Sequence, residues 1–258
     1  MKNYLNTITT GDCLGKNGIG NLPDKCIDLI LADLPYGTTR NKWDSVLPLP
    51  ALWKEYKRIL KPNGVIVLTA QTPFDKVLGA SNLEMLKYEW IWEKTSATGH
   101  LNARRAPMKA HENALVFYDK TPTYNPQKTS GHVRKKRSAA AGNKAKESEN
   151  YALNHQNNRT TDYDSTERFP RSVIRLKSDK QTDRGHSTQK PVALMEYFIR
   201  TYTQPGETVL DNTIGSGTTA LAAVNTGREW LGWEKDAATA EEARHRYETH
   251  VGSRTITL

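Results

Sequence analysis

The stretch "IDLILADLPYGTT", Ile27–Thr39, carries an aliphatic run that stops abruptly at Asp33, Leu34, Pro35 and Tyr36, with Gly37 directly after. Apolar residues at consecutive rather than alternate positions match a strand buried on both faces, as in a parallel sheet covered by helices. Such a strand delivering a carboxylate, a proline and an aromatic ring has two readings. It is closed by a plain proline turn, or these four residues form the floor of an active site.

The surroundings of that run fix the fold class. Short apolar runs at 65–70, 88–92, 114–118, 208–210 and 230–233 also read as strands. Helical patterns alternate with them. Leu52, Tyr56, Ile59 and Leu60 share one face of a helix over 51–60, which "KPNG" is expected to stop. Over 191–202, Leu194, Met195, Phe198, Ile199 and Tyr202 share another face, with Pro191 suited to a first turn. A charge-rich helix is expected over 237–250. Strands alternating with helices predict a mainly parallel α/β sheet covered on both faces.

The chain has 258 residues and a formal net charge of +9. Between Lys120 and Arg184 stand 15 Lys/Arg and 7 Asp/Glu, a net +8 that accounts for nearly all of that charge. Tyr124, Tyr151, Tyr163 and Phe169 are its aromatic residues. A structureless loop of this length is unusual inside a compact domain, so the stretch reads as an inserted module or binding segment. Tyrosines among basic residues suit stacking on bases as well as gripping phosphates; a solvated linker is the plainer alternative. Expected boundaries are 1–118, 119–185 and 186–258. Cys13 and Cys26 lack metal-ligand spacing and cannot build a disulfide framework. His100, His111 and His132 are too scattered for a metal site, so none is expected. The start "MKNYLNTITTGD" lacks signal or transit character, and no apolar run spans a bilayer, so a cytoplasmic protein away from membranes is expected.

A second motif stands near the C-terminus. In "TVLDNTIGSGTTALAA", Thr208–Ala223, a strand ends at Asp211, Gly215 and Gly217 turn the chain, and a helix follows from Thr218. This device brings backbone N–H groups and a helix start close to a ligand. Glu234 ends the next strand, where a carboxylate can accept both hydroxyls of a ribose. The loop also fits the dinucleotide pattern G-x-G-x-x-A, which keeps a nicotinamide-linked oxidoreductase among the rival readings. Too little chain follows for a six-stranded dinucleotide domain, and Asp211 suits a cationic sulfonium better than a pyrophosphate.

"ADLPYG" and "DNTIGSGTT", in that order, resemble the DNA amino-methyltransferases that modify adenine N6 or cytosine N4. Their catalytic tetrapeptide is D/N/S-P-P-Y/F/W, and the order resembles the group called β. "HSTQKP" (His186–Pro191) and "TTGDCL" (Thr9–Leu14) are similar to further elements of that group. The resemblance implies a Rossmann-like methyltransferase fold, S-adenosylmethionine as cofactor, double-stranded DNA as partner, and a target-recognition region in the basic middle. It implies a cofactor site from Asp12, Cys13, Thr188, Lys190, Asp211, Asn212, Gly215, Ser216, Gly217, Thr218 and Glu234, with Asp12 near the adenine. Lys190 is expected at the surface or facing the cofactor's carboxylate. Leu34 departs from the usual Pro, and Asn212 stands where Pro is common.

The chemistry gives the opening motif its sense. An exocyclic amine is a poor nucleophile because its lone pair is delocalised into the ring. Two acceptors on its N–H bonds, the Asp33 side chain and the Leu34 carbonyl, draw the nitrogen toward a tetrahedral state. Leu34 keeps that carbonyl, and Pro35 still forces it to be extended. Tyr36 offers a face for a base swung out of the duplex. Asp at position 33 favours adenine N6 over cytosine N4. Carbon-5 methylation requires a nucleophilic Cys in a setting that Cys13 and Cys26 lack. An RNA methyltransferase and a catalytically inactive DNA-binding protein complete the rivals. For DNA contact, Arg104 and Arg105 at the insert's edge and "RKKR" (Arg134, Lys135, Lys136, Arg137) are the candidates, with solvated loops the plainer reading.

Overall fold

A computed structural model describes residues 1–37, 44–137, 163–177 and 189–255. The chain forms two compact units, Met1–Asn125 with Ser172–Leu258, and Pro126–Arg171.

The larger unit is built on an eight-stranded sheet. Its strands are β1 (Thr7–Thr10), β2 (Ile27–Asp33), β3 (Leu60–Ala70), β4 (Leu86–Thr98), β5 (Lys109–Phe117), β8 (Val173–Leu176), β9 (Thr208–Asp211) and β10 (Glu229–Glu234), in spatial order β1-β10-β9-β2-β3-β5-β4-β8. Only β5 runs against its neighbours β3 and β4; every other pairing is parallel. Val173–Leu176 lies within the stretch read from sequence as insertion, yet it forms the sheet's edge strand against β4.

Double burial of β2 follows from helices on both faces. Ile30 and Ala32 pack with Leu52, Trp53, Tyr56 and Ile59 of α1 (Leu49–Ile59) and with Phe74 and Leu78 of α2 (Phe74–Ala80). Leu29 and Leu31 meet Leu194, Met195, Phe198 and Ile199 of α3 (Val192–Tyr202), and small residues of α4 (Thr218–Asn225) and α5 (Ala237–Thr255). Each such fully buried side chain contributes about 1.5–3 kcal/mol relative to exposure. The "KPNG" segment does not separate helix from strand by a turn. Ile27 pairs with Leu60 and Leu29 with Val65, so the residues between are pushed out of the ladder. A Cβ on Gly64 would come within 2.8 Å of the Leu60 side chain and 3.0 Å of the Asp28 carbonyl, which explains the glycine.

In the smaller unit, β6 (Lys135–Arg137) and β7 (Tyr163–Ser165) form an antiparallel pair. Among its described residues no hydrophobic side chain is buried, and Val133 and Phe169 are exposed. No helix among the described residues is long and apolar enough to cross a membrane.

Candidate active site

Adjacent strands β2 and β9 are parallel, but the chain leaves them toward opposite sides of the sheet. That reversal opens a crevice at their carboxyl ends, where ligands sit in open α/β sheets. Asp33 ends β2, Asp211 ends β9 and Glu234 ends β10, so the crevice collects three carboxylates. The antiparallel direction of β5 brings its first residues to the same edge, with Asn113 opposite Ala70 at the end of β3.

Asp33 is the centre of a dense set of donors. Its Oδ1 accepts from the Tyr36 hydroxyl at 2.6 Å and from the Thr69 hydroxyl. Its Oδ2 accepts from Lys190 Nζ at 2.6 Å. The Lys190 ammonium also lies 3.1 Å from Glu112 Oε2, an ion pair without hydrogen-bond alignment, and Lys94 approaches Glu112 Oε1 at 2.5 Å. Charges therefore alternate along Lys94, Glu112, Lys190 and Asp33. Burial opposes the Lys190 charge, but Asp33 and Glu112 outweigh it and hold its pKa well above the ordinary lysine value. Burial likewise opposes ionisation of Glu112, yet Lys190 and Lys94 bring its pKa below the usual carboxylate range. Burial, then the Asp33 charge, push Tyr36 well above an ordinary tyrosine, so its hydroxyl stays a donor. The Tyr36 ring stacks on Phe74 with centroids 5.4 Å apart. Leu34 points into the core.

The glycine loop lies beside this cluster. Gly215 and Gly217 have φ of +51° and +82°, values that favour glycine, and Gly217 caps α4. Glu234 holds the loop from below: Oε2 accepts from the Gly215 N–H at 3.0 Å and Oε1 from the Asp236 N–H at 2.9 Å. Arg246 donates to the Ser216 carbonyl at 2.8 Å and to the Thr218 hydroxyl at 3.1 Å. Asp211 accepts from the Thr219 hydroxyl at 2.6 Å and the Thr213 N–H at 3.1 Å, and burial pushes its pKa up to about 7. Near the end of β1, Asp12, Leu14, Gly15, Leu47 and Pro48 line a small cleft.

Other candidates occupy different surroundings. Cys13 and Asn212 are buried, Asn212 bonded to the Tyr56 hydroxyl and to Cys13 Sγ, so their side chains brace the loops from behind. Burial also raises the Cys13 thiol pKa. Lys190, expected at the surface or facing the cofactor's carboxylate, is buried against Asp33, because it stands just before α3, which packs on Leu29 and Leu31 of β2. Thr188 lies outside the described residues. Arg104 and Arg105 are exposed in a turn. Arg134 forms a two-point pair with Asp164 at 2.6 and 2.7 Å, Lys136 lies 3.7 Å from the same carboxylate, and Lys135 is exposed. The Arg137 side chain lies outside the described residues. Among the described residues no His, Cys, Asp and Glu group could hold a metal ion. Sequence reasoning missed Thr69, Lys94 and Glu112, which carry no local signal: each is an ordinary strand residue until the sheet brings it to Asp33.

Residues 27–245 match the model of a family described as DNA methylase. The type II methyltransferase M.HinfI of Haemophilus influenzae is 27% identical over 278 aligned residues, covering 95% of this chain and 69% of that protein. The crystal structure of an M1.HpyAVI–SAM complex superposes with a TM-score of 0.63 at 24% identity, covering 93% of this chain and 98% of the other. PvuII DNA methyltransferase, cytosine-N4-specific, gives 0.66 at 15%, covering 93% and 85%. TTHA0409 of Thermus thermophilus, a putative DNA modification methylase complexed with S-adenosyl-L-methionine, gives 0.60 at 19%, covering 95% of both chains. At these identities the structural matches establish the shared fold.

Proposed function

The chain belongs to the N6/N4 DNA methylase family, and from that premise we propose that it methylates the exocyclic N6 amine of adenine in double-stranded DNA. The family draws its methyl group from S-adenosylmethionine, and this is the chain's cofactor. The residues at the crevice fit it: acidic groups and a glycine turn with a helix start suit a molecule carrying a sulfonium, a ribose diol and an adenine. Glu234 faces the ribose, and Asp211, buried and poised near pH 7, faces the charged methionine portion. Asp12 with Leu14, Leu47 and Pro48 clasps the adenine between a carboxylate and apolar side chains. When bound, the cofactor supplies an electrophilic methyl group on a good leaving group.

The chain's own residues then act on the target amine. Asp33 accepts one N–H and the Leu34 carbonyl the other, which exposes the nitrogen lone pair. Tyr36, braced by Phe74, stacks the extruded base, and the Thr69 and Lys190 contacts keep the Asp33 carboxylate in one rotamer. Alignment of nitrogen and methyl group supplies most of the acceleration. The basic residues around Arg134–Arg137 grip phosphates, and the part of the 119–185 stretch that precedes β8 serves as the target-recognition region.

A single observation carries this reading: a carboxylate, a main-chain carbonyl and an aromatic ring follow one another at the end of β2, directly beside the glycine loop after β9. Duplex DNA incubated with the chain and methyl-labelled cofactor, then digested to nucleosides, tests it. Label in N6-methyldeoxyadenosine is expected. Label in N4-methyldeoxycytidine would overturn the adenine assignment, and cofactor binding without transfer would point to an inactive DNA-binding protein.

A further inference from the structure

A buried ion chain runs from Asp33 away from the crevice, using residues from four separate segments. Lys190 precedes α3, Glu112 stands in β5 and Lys94 in β4. Lys190 is only 6% exposed, and the side chains of Glu112 and Lys94 are each 11% exposed. Burying three charges is costly unless each is compensated, and β4 and β5 are already joined by extensive backbone pairing.

The donor count at Asp33 gives the chain a purpose. An ionised carboxylate offers about four lone-pair sites. Tyr36 and Thr69 take two on Oδ1, and Lys190 takes one on Oδ2. The site left for an amine N–H is therefore on Oδ2, the oxygen that Lys190 already holds. That places an ammonium close to a nitrogen that becomes positive as the methyl group arrives. Like charges so near one another raise the barrier unless a further negative charge balances the ammonium, and Glu112 is that charge.

We propose that Lys190 and Glu112 are positioning residues of methyl transfer: Lys190 fixes which Asp33 lone pair meets the target amine, and Glu112 balances the Lys190 charge as the nitrogen becomes cationic. The inference rests on Asp33 being the amine acceptor. Lys190 acts through Asp33, and Glu112 acts through Lys190. The charged and titratable groups facing Lys190 are Asp33 and Tyr36 from the end of β2 and Glu112 from β5, with Lys94 of β4 behind Glu112 and Asp211 near Asp33.

The test is single-turnover methylation of duplex DNA at saturating cofactor from pH 6 to pH 10, with cofactor Kd measured alongside, for Glu112→Gln, Lys190→Met, Lys190→Arg, the Glu112→Gln/Lys190→Met double variant and Asp33→Ala. Glu112→Gln is expected to lower the rate about 10- to 100-fold with cofactor Kd unchanged. The loss should also shrink toward alkaline pH, because Lys190 without Glu112 gives up its proton more easily and a neutral amine no longer opposes the cationic nitrogen. Lys190→Arg should retain more activity than Lys190→Met. The double variant should be no slower than the worse single variant, since the residues act as one unit. Parental rates and pH profile in both single variants, or a loss confined to cofactor affinity, would overturn the inference. An inactive Asp33→Ala alongside a parental Glu112→Gln sinks this inference alone, whereas an active Asp33→Ala sinks the functional reading beneath it. If Lys190→Met does not fold, Glu112→Gln and Lys190→Arg decide the matter by the same rate and pH criteria.

Discussion

The hydroxyl of Thr213 donates a hydrogen bond to the main-chain carbonyl of Asp33 at 3.1 Å. The residues are 180 positions apart, yet this bond joins the loop after β9 to the turn after β2. The loop proposed to bind cofactor and the turn proposed to bind the target amine are thereby held in one register. Thr213→Val keeps the shape and removes the donor. It should lower single-turnover rate about tenfold while cofactor Kd changes less than about threefold, because alignment between the two sites is what is lost. Calorimetry paired with rapid-quench methylation checks both numbers.

Asp33→Ala should leave folding and cofactor binding nearly unchanged and reduce turnover on the order of 100-fold or more, since the interaction is strongest as the nitrogen becomes tetrahedral. Asp33→Asn keeps an acceptor oxygen and should retain more activity than Ala. Near-parental turnover by the Ala variant would mean that the tetrapeptide is only a turn.

Cofactor affinity should depend on pH through Asp211, whose pKa burial lifts to about 7. Below that pH the carboxyl is protonated; above it, the buried charge attracts a sulfonium. S-adenosylmethionine should bind more tightly at pH 8 than at pH 6, and the neutral thioether product should show a weaker trend. For the protein alone the sign is opposite. The folded pKa lies above the ordinary value of 3.8, so stability contributed by the protonated group is full below about pH 4 and is lost as pH rises through about 7. Asp211→Asn should flatten both dependences in titration calorimetry and thermal unfolding.

Tyr56→Phe tests the brace behind the glycine loop. It leaves the buried Asn212 without its hydroxyl partner, at a cost of about 1–3 kcal/mol. Thermal unfolding should show the lower Tm, and cofactor affinity should fall with it as the loop loosens.

DNA affinity should drop steeply with salt, and neutralising Arg134, Lys135, Lys136 and Arg137 together should flatten that dependence while cofactor affinity stays the same. Asp164 pairs with Arg134 and Lys136, so a phosphate proposed to bind there would have to displace it. Asp164→Asn should therefore tighten DNA binding at low salt, as read by fluorescence anisotropy.

Local physics made much of the fold legible. Consecutive aliphatic residues in Ile27–Asp33 announced a strand buried on both faces, and Gly215 and Gly217 announced a turn, which the structure makes with positive φ at both. The helix at Val192–Tyr202 followed from the spacing of its apolar residues. β1 was not read as a strand because it is an edge strand with only Ile8 buried. α2 was missed because seven residues are too few to display a helical period.

By itself, then, the sequence determined which segments bury two faces, where the chain must turn on glycine, and that Asp33, Pro35 and Tyr36 follow a strand. Those are properties of neighbouring residues, set by sterics and by side-chain period. Only the tertiary structure decided what surrounds Asp33. Lys190 stands 157 positions away, and Glu112 reaches the carboxyl edge of the sheet only because β5 runs backwards. A lone lysine before a helix and a lone glutamate in a strand look like surface residues until the sheet order places them together. Strand direction and order are settled by packing across the whole sheet, and no local spacing encodes them.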